Sequence, residues 1–165
     1  MAELSRRLQA VADLVTPGMR LVDVGTDHAY IPIHLTQNGV VPSAIAMDIN
    51  KGPLERADAH ICEYGLDGKI ITRLSDGLVN LKMEEADTMI AAGMGGALVI
   101  HILDEDPVKT RTLKELILQP QSELAKVRGY LEGHAFRIIA EDMVEEDGKY
   151  YPMMKVVPAE QTGLY

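Results

Sequence analysis

The sequence has 165 residues, enough for one domain that buries about two thirds of the surface of its unfolded chain. Its single cysteine, Cys62, excludes an internal disulfide and suits a reducing compartment, where we expect Cys62 on the core side of its helix. A net charge of −9 argues against tight nonspecific binding to nucleic acid, which depends on lysine and arginine. No apolar run reaches the length of a signal peptide or a membrane span, which predicts a cytoplasmic protein.

Helical and strand patterns alternate along most of the chain. In chain order, the predicted elements are a helix over 3–15, a strand over 20–25, a helix over 30–38, a strand over 43–49, a helix over 51–64, strands over 69–74 and 87–92, a helix over 97–103, a short helical piece within 104–112, a strand over 113–118, a helix from a Ser122 cap to 131, and strands over 136–144 and 150–157. The Asp147-Gly148 pair predicts a tight hairpin turn between the last two strands.

This order predicts an α/β fold, with a seven-stranded, mostly parallel sheet, helices on both faces and an antiparallel hairpin at the C-terminal end. The domain is expected to span residues 1–158, and residues 159–165 are expected to form a short, loose tail. No internal repeat interrupts the pattern.

The turn after the first strand is the first candidate binding site. Gly25 lets the backbone approach a ligand, free backbone N–H groups are expected beside it, and Asp23, Asp27 and His28 add polar groups. Asp27 and His28 depart from the G-x-G-x-x-G fingerprint, so a dinucleotide pyrophosphate is disfavoured, and a cationic ligand suits the acidic turn better. The alternative is an ordinary acid near the first turn of an α/β domain.

Two more acids follow later strands. Asp48 lies about 20 residues after Gly25, where a carboxylate can accept hydrogen bonds from both hydroxyls of a ribose. Asp76 follows the third strand and could accept from the amine of an adenine. The alternatives for Asp48 are a helix N-cap or a solvated acid, and the alternative for Asp76 is an ordinary Asp-Gly turn.

Three glycines follow the fourth strand, in residues 92–96, and indicate that something approaches the backbone closely.

Arg6 and Arg7 on the first helix are candidate phosphate contacts, or else part of a solvated face. Tyr30 either stacks on a substrate base or packs in the core, and His28 either bonds the substrate or holds the loop. The other histidines are scattered singly, so no metal site is expected.

Five segments together resemble the bacterial tRNA (adenine-22-N1)-methyltransferase family: residues 23–30 (DVGTDHAY), 51–54 (KGPL), 75–78 (SDGL), 92–96 (AGMGG) and 116–120 (LILQP). The resemblance covers residues 4–157, and the first and fourth segments are its most specific parts. It implies a Rossmann-like class I methyltransferase that transfers a methyl group from S-adenosylmethionine (SAM) to N1 of adenine 22 in tRNA.

The resemblance also implies a role for each matching residue. Gly25 and its neighbours would hold the methionine part of SAM, Asp48 the ribose, and Asp76 with Gly77 the adenine. The predicted cofactor-binding residues are Asp23, Gly25, Thr26, Asp27, Asp48, Ile49, Ser75, Asp76, Gly77, Ala92, Gly93 and Met94. The predicted catalytic residues are Asp27, His28 and Tyr30, and the predicted substrate-binding residues are Gly95, Gly96, Gln119, Pro120, Arg6 and Arg7.

In the mechanism this predicts, adenine N1 attacks the methyl group in line, and Asp27 stabilises the positive ring or takes a proton from its amine. Alternatively, Asp27 only binds the amino group of SAM. Because N1 lies on the Watson–Crick edge, the target base must be unpaired or extruded before it reacts.

Two other functions stay open: a noncatalytic SAM-binding or tRNA-associated module, and a SAM-dependent methyltransferase that acts on a small molecule or a protein. A nicotinamide oxidoreductase is disfavoured because Asp27-His28 displaces the glycine pattern. Family members continue into a helical C-terminal domain, so we expect a shortened or naturally short member of the family. The expected partner is tRNA, with no metal and no membrane, and the expected state is a monomer or weak homodimer.

Overall fold

Seven strands and six helices make up the computed structural model, which describes residues 3–26 and 28–159. The strands are β1 (Leu21–Val24), β2 (Ala44–Asp48), β3 (Ile70–Leu74), β4 (Thr88–Met94), β5 (Glu115–Pro120), β6 (Phe136–Glu146) and β7 (Lys149–Pro158). The helices are α1 (Arg6–Asp13), α2 (Tyr30–Gln37), α3 (Lys51–Glu63), α4 (Gly96–Asp104), α5 (Pro107–Thr112) and α6 (Leu124–Gly133).

All seven strands form one sheet, in the order β3-β2-β1-β4-β5-β7-β6. The first five strands are parallel to one another, whereas β7 pairs antiparallel with both β5 and β6. The predicted fold class is confirmed, including the C-terminal hairpin. Its turn consists of Asp147 and Gly148 with φ of +52° and +79°, the left-handed pair that a two-residue hairpin needs.

The core lies on both faces of the sheet because side chains alternate along each strand. On one face, Val22 and Val24 of β1 pack with residues of α4 and α6. On the other face, Leu21 of β1 packs with residues of α1, α2 and α3. The parallel strands β1, β2, β4 and β5 are largely buried on both sides, which explains why their sequences read as nearly continuous apolar runs, whereas the edge strand β3 is partly exposed.

The parallel pairing decides where the polar residues meet. β1 lies between β2 and β4, so the segments that follow these three strands leave the sheet at one edge. Ligands of open α/β sheets bind beyond this carboxyl edge.

Three local predictions were wrong. β5 begins at Glu115 rather than at residue 113, because α5 continues to Thr112. Ser122 does not cap α6; its Oγ accepts a hydrogen bond from the N–H of Gly96, and Glu123 with a φ of +52° precedes the helix. Cys62 lies on the exposed side of α3. Most of the predicted tail, residues 160–165, lies outside the described residues.

No helix within residues 3–26 and 28–159 is both long and apolar enough to cross a membrane.

Gly96 in α4 packs directly against the segment that leads into α6. A Cβ there would overlap the carbonyl oxygen of Ser122 and lie 3.0 Å from Val127. We therefore expect Gly96→Ala to lower the free energy of unfolding by about 1–3 kcal/mol, the usual cost of overpacking. Urea denaturation measures this change.

Gly129→Ala in α6 is the matched control, because nothing lies within 4 Å of the added Cβ. It should stabilise the protein by about 0.5–1 kcal/mol, as an alanine in place of a glycine within a helix does. Equal effects of the two substitutions would contradict the packing described for Gly96.

Candidate active site

The chain bends away from the sheet immediately after β1. Gly25 has a φ of +74°, and its N–H and that of Thr26 both donate to the carbonyl oxygen of Met47 in β2, at 2.9 Å each. The prediction of free N–H groups at this turn was therefore wrong for these two residues. Their hydrogen bonds go to the neighbouring strand, and the turn offers space and side chains to a ligand instead.

The backbone stays strained as the turn continues towards α2. His28 and Ala29 have φ of +59° and +57°, and each non-glycine residue in this region costs about 1–3 kcal/mol. Helix α3 supports the strained segment, since Nδ1 of His60 lies 3.0 Å from the carbonyl oxygen of His28. Because a carbonyl only accepts hydrogen bonds, Nδ1 of His60 carries a proton and donates it.

The side chains of the same segment form a ring stack. The ring of His28 lies 5.1 Å from those of Tyr30 and His60, and the rings of Tyr30 and His60 are 5.5 Å apart, measured between centroids. His60 was predicted to be an isolated histidine, and this prediction was wrong, because its ring contacts those of His28 and Tyr30. No local pattern in the sequence indicates this contact, because His28 and His60 are 32 residues apart and meet only when α3 packs beside the turn.

A cavity of about 310 Å³, here called the central cavity, opens beside this turn. Its lining residues are Arg7, Leu8, Asp23, Gly25, Tyr30, Ile31, Ala92, Gly93 and Gln121. Asp23 is 7% exposed, and burial raises the pKa of its carboxyl to about 7; the Thr26 hydroxyl opposes this rise and the charge of Asp48 adds to it. A cation in the cavity would stabilise the ionised carboxylate.

A second cavity of about 250 Å³, here called the apolar cavity, lies on the other side of Gly25. It is lined by Val24, Gly25, Asp48, Ile49, Ser75, Asp76, Gly77, Ala92, Gly93, Met94, Leu98 and Ile102. Ile49 and Leu98 are half-exposed, so a ligand here would cover apolar surface. Gly25, Ala92 and Gly93 line both cavities, which therefore meet at the ends of β1 and β4.

The polar residues of the apolar cavity stand at defined positions. Oδ1 of Asp48 accepts from the N–H of Asn50 at 2.9 Å, which orients the carboxylate. Ser75 is committed to its own turn: its Oγ donates to the carbonyl of Gly77 and accepts from the N–H of Asn80. A side chain at Gly77 would press on Ile102, whose Cγ1 lies 3.2 Å from the added Cβ. The cavity, with Asp48 and Asp76 at its rim, suits a flat and largely apolar ring.

Gln119 links the central cavity to the N-terminal helix. The side chain is fully buried, and its Oε1 accepts from the N–H of Gly93 at 3.0 Å and lies 3.5 Å from Nη1 of Arg7. Arg7 also pairs with Glu146 and stacks over the ring of Tyr151. Gln119 and Arg7 were both predicted to bind substrate, but nothing in the sequence indicated that their side chains contact each other across 112 residues.

The predicted site residues thus fall into three groups. Most of them line the central cavity or the apolar cavity. Thr26 is buried at the turn and His28 lies in the ring stack. Neither of these two residues lines either cavity, and nor do five others: the exposed Arg6, the glycines Gly95 and Gly96 before and within α4, Gln119 beneath the central cavity, and Pro120 at the end of β5. Asp27 lies outside the described residues.

Within residues 3–26 and 28–159, no group of three or more histidine, cysteine, aspartate or glutamate side chains is placed to hold a metal ion.

Comparison with known proteins agrees with this geometry. Residues 4–154 match the family described as "Methyltransferase domain". A tRNA (adenine(22)-N(1))-methyltransferase of Bacillus subtilis is 37% identical over 163 residues, which cover 99% of this chain and 68% of the relative. The chain belongs to this methyltransferase family.

Solved structures of the family superpose over nearly the whole chain. The Bacillus subtilis m1A22 tRNA methyltransferase TrmK is 38% identical with a TM-score of 0.92, covering 97% of this chain and 68% of that one. Sp1610 of Streptococcus pneumoniae, solved in complex with S-adenosyl-L-methionine, is 38% identical with a TM-score of 0.93, covering 97% and 75%. TrmK of M. capricolum, solved with S-adenosyl-homocysteine, is 32% identical with a TM-score of 0.87, covering 98% and 73%. The family resemblance is confirmed.

The contact between His60 and His28 yields a test of the strained turn. We expect His60→Ala to increase local opening of residues 28–30 about tenfold, because one hydrogen bond of about 1–1.5 kcal/mol is lost. Amide hydrogen exchange of these residues measures the opening. His60→Asn should restore much of the protection, since the asparagine amide can donate from a similar position.

Cys62→Ala on the exposed side of the same helix is the control for this experiment and should leave the exchange unchanged. Unaltered exchange of residues 28–30 in His60→Ala would show that α3 does not support the turn.

Proposed function

We propose that this protein transfers a methyl group from SAM to N1 of adenine 22 in tRNA. The observation that carries the proposal is the meeting of two cavities at Gly25 and Gly93. One has an acid-rimmed apolar surface that suits a nucleoside, and the other has a polar wall beside an exposed aromatic ring. A cofactor in the first and a substrate base in the second would face each other where the cavities join.

The residues of the apolar cavity fit the adenosine part of SAM. Asp48 would accept hydrogen bonds from the ribose hydroxyls, and Asp76 would accept from the adenine amine beside Gly77. Ile49 and Leu98 would cover the faces of the ring. When bound, SAM supplies an electrophilic methyl group on a positively charged sulfur. The buried carboxyl of Asp23 would balance the cationic end of the cofactor in the central cavity.

The central cavity would also receive the target base. Tyr30 is 39% exposed at its wall and offers a ring on which an extruded adenine can stack. Adenine N1 has its own lone pair, so the protein has mainly to hold N1 in line with the methyl group, which can lower the barrier by about 7–11 kcal/mol. Asp27 directly precedes His28 in the sequence, and we assign to Asp27 the stabilisation of the positive charge that develops on the ring.

The partner in this proposal is tRNA and the location is the cytoplasm, with the chain acting as a monomer or weak homodimer. The net charge of −9 disfavours unspecific RNA binding, so recognition would depend on a few cations near the site, Arg7 first among them.

Methylation of an unmodified tRNA transcript tests this function. The unaltered protein should form 1-methyladenosine in a transcript with A22 and none in a transcript with G22, read out by mass spectrometry of the digested nucleosides. We expect Asp27→Asn to lower kcat at least about 100-fold, the scale of a positioned acid–base group, with little change in the Kd for SAM. A raised Kd with unchanged kcat would assign Asp27 to the cofactor instead.

Two outcomes would contradict the proposal. Binding of SAM without methylation of tRNA would indicate a binding module or an enzyme for a small molecule or a protein. Absence of SAM binding would refute the assignment of both cavities.

The raised pKa of Asp23 predicts a pH-dependent affinity for SAM. A cationic ligand favours the ionised carboxylate, so the affinity should rise by up to about tenfold per pH unit between pH 5.5 and 7 and level off above the pKa of about 7. Calorimetric titration at several pH values measures this slope. Asp23→Asn should bind more weakly at pH 7.5, without the slope.

The same shift has a consequence for stability without the cofactor. Because the folded-state pKa of Asp23 lies above the unfolded value of about 4, ionisation favours the unfolded chain, and stability should fall as the pH rises from about 4 to 7. Asp23→Asn should remove this part of the pH dependence. An unaltered profile would contradict the burial of a titrating carboxyl at this position.

A further inference from the structure

A third cavity of about 340 Å³, here called the hairpin cavity, lies beside the central cavity and has no part in the proposed binding of SAM. It is lined by Gln119, Gln121, Lys149, Tyr150 and Tyr151. Gln121 lines the central cavity as well, so the two cavities are neighbours. The tip of the β6–β7 hairpin thus forms one wall of a depression that continues from the candidate substrate site.

Arg7 stands where the two cavities adjoin. It lines the central cavity, and its guanidinium lies 5.1 Å from the ring centroid of Tyr151, which lines the hairpin cavity. The N–H of Arg7 donates to Glu146 at 3.3 Å, and its side chain pairs with the same carboxylate. These contacts join α1 to the hairpin and fix the position of the hairpin cavity relative to the central cavity.

The lining of the hairpin cavity has the chemistry of a nucleotide site. Glutamine amides donate and accept hydrogen bonds, as the edges of bases do. Tyrosine rings stack on bases of any sequence, and Tyr150 is 69% exposed. Lys149 adds an exposed ammonium group that suits a phosphate. Two acids lie across the hairpin from this wall: Glu146 opposite Lys149 and Glu145 opposite Tyr150. Arg7 pairs with Glu146 and opposes its charge.

The proposed substrate would bring further nucleotides to this surface. An extruded adenosine remains covalently joined to the nucleotides on both sides, so at least one of them must pass over the surface next to the central cavity. The apolar cavity lies on the opposite side of Gly25, which leaves the hairpin side as the one with aromatic and cationic groups.

We propose that the hairpin cavity binds the nucleotide adjacent to the target adenosine, with Lys149 at its phosphate and Tyr150 against its base. This inference rests on the proposed function, because it takes RNA as the substrate. It assigns to the hairpin the selection of unpaired RNA next to the methylated position, a role that the transfer step itself does not require.

Steady-state methylation of the tRNA transcript tests the inference with Lys149→Ala and Tyr150→Ala. Each variant should raise the KM for tRNA at least about fivefold, with kcat and the Kd for SAM within about twofold of the unaltered protein. A plot of log(1/KM) against log salt concentration should have a slope smaller in magnitude by about 1 in Lys149→Ala, because one phosphate contact is lost. Lys149→Arg should retain the original KM.

Lys69→Ala is the matched control, because Lys69 is exposed at the start of β3, on the far edge of the sheet from β6. Its KM for tRNA should not change. An unchanged KM in both hairpin variants would overturn the inference, as would a parallel loss of SAM affinity, which would show a distorted site instead of a lost contact. Failure of the proposed function would differ, since the unaltered protein itself would then leave tRNA unmethylated; that result would overturn both.

Discussion

The carbonyl oxygen of Met47 accepts hydrogen bonds from the N–H groups of both Gly25 and Thr26, and the arrangement of the whole site depends on this bend. It forces the chain off the sheet at the end of β1, between the ends of β2 and β4. The apolar cavity then lies on one side of Gly25 and the central cavity on the other. A side chain at Gly25 would need a positive φ and would meet Met94 at 3.2 Å, so only glycine fits without strain.

Cations accompany the acids along this edge of the sheet, which reconciles an acidic protein with the RNA substrate that we propose. Asp48 and Asp76 line the apolar cavity. The buried Asp23 lines the central cavity, where we propose that the cationic end of SAM binds. Arg7 lines the central cavity and Lys149 lines the hairpin cavity, where we propose that the RNA binds. The net charge of −9 describes the chain as a whole and weakens only unspecific binding.

The sequence predicted the succession of elements along the chain, the mostly parallel sheet with its terminal hairpin, and the acids at the strand ends, because these follow from local patterns combined with the rules for parallel sheets. It could not predict contacts between distant segments. Gln119 under Gly93, His60 beside His28 and Ser122 against Gly96 are each joined by one hydrogen bond across more than 20 residues. The family resemblance named many of the residues around these contacts, but their partners depend on how the helices pack.

A crystal structure of the protein with S-adenosyl-homocysteine tests the account most directly. The account predicts that the ribose hydroxyls lie within hydrogen-bond distance of the Asp48 carboxylate, that the adenine lies beside Gly77 against Ile49 and Leu98, and that the sulfur faces the central cavity near Gly25. A ligand bound elsewhere, or with its sulfur turned away from the central cavity, would contradict the assignment of the two cavities to cofactor and substrate.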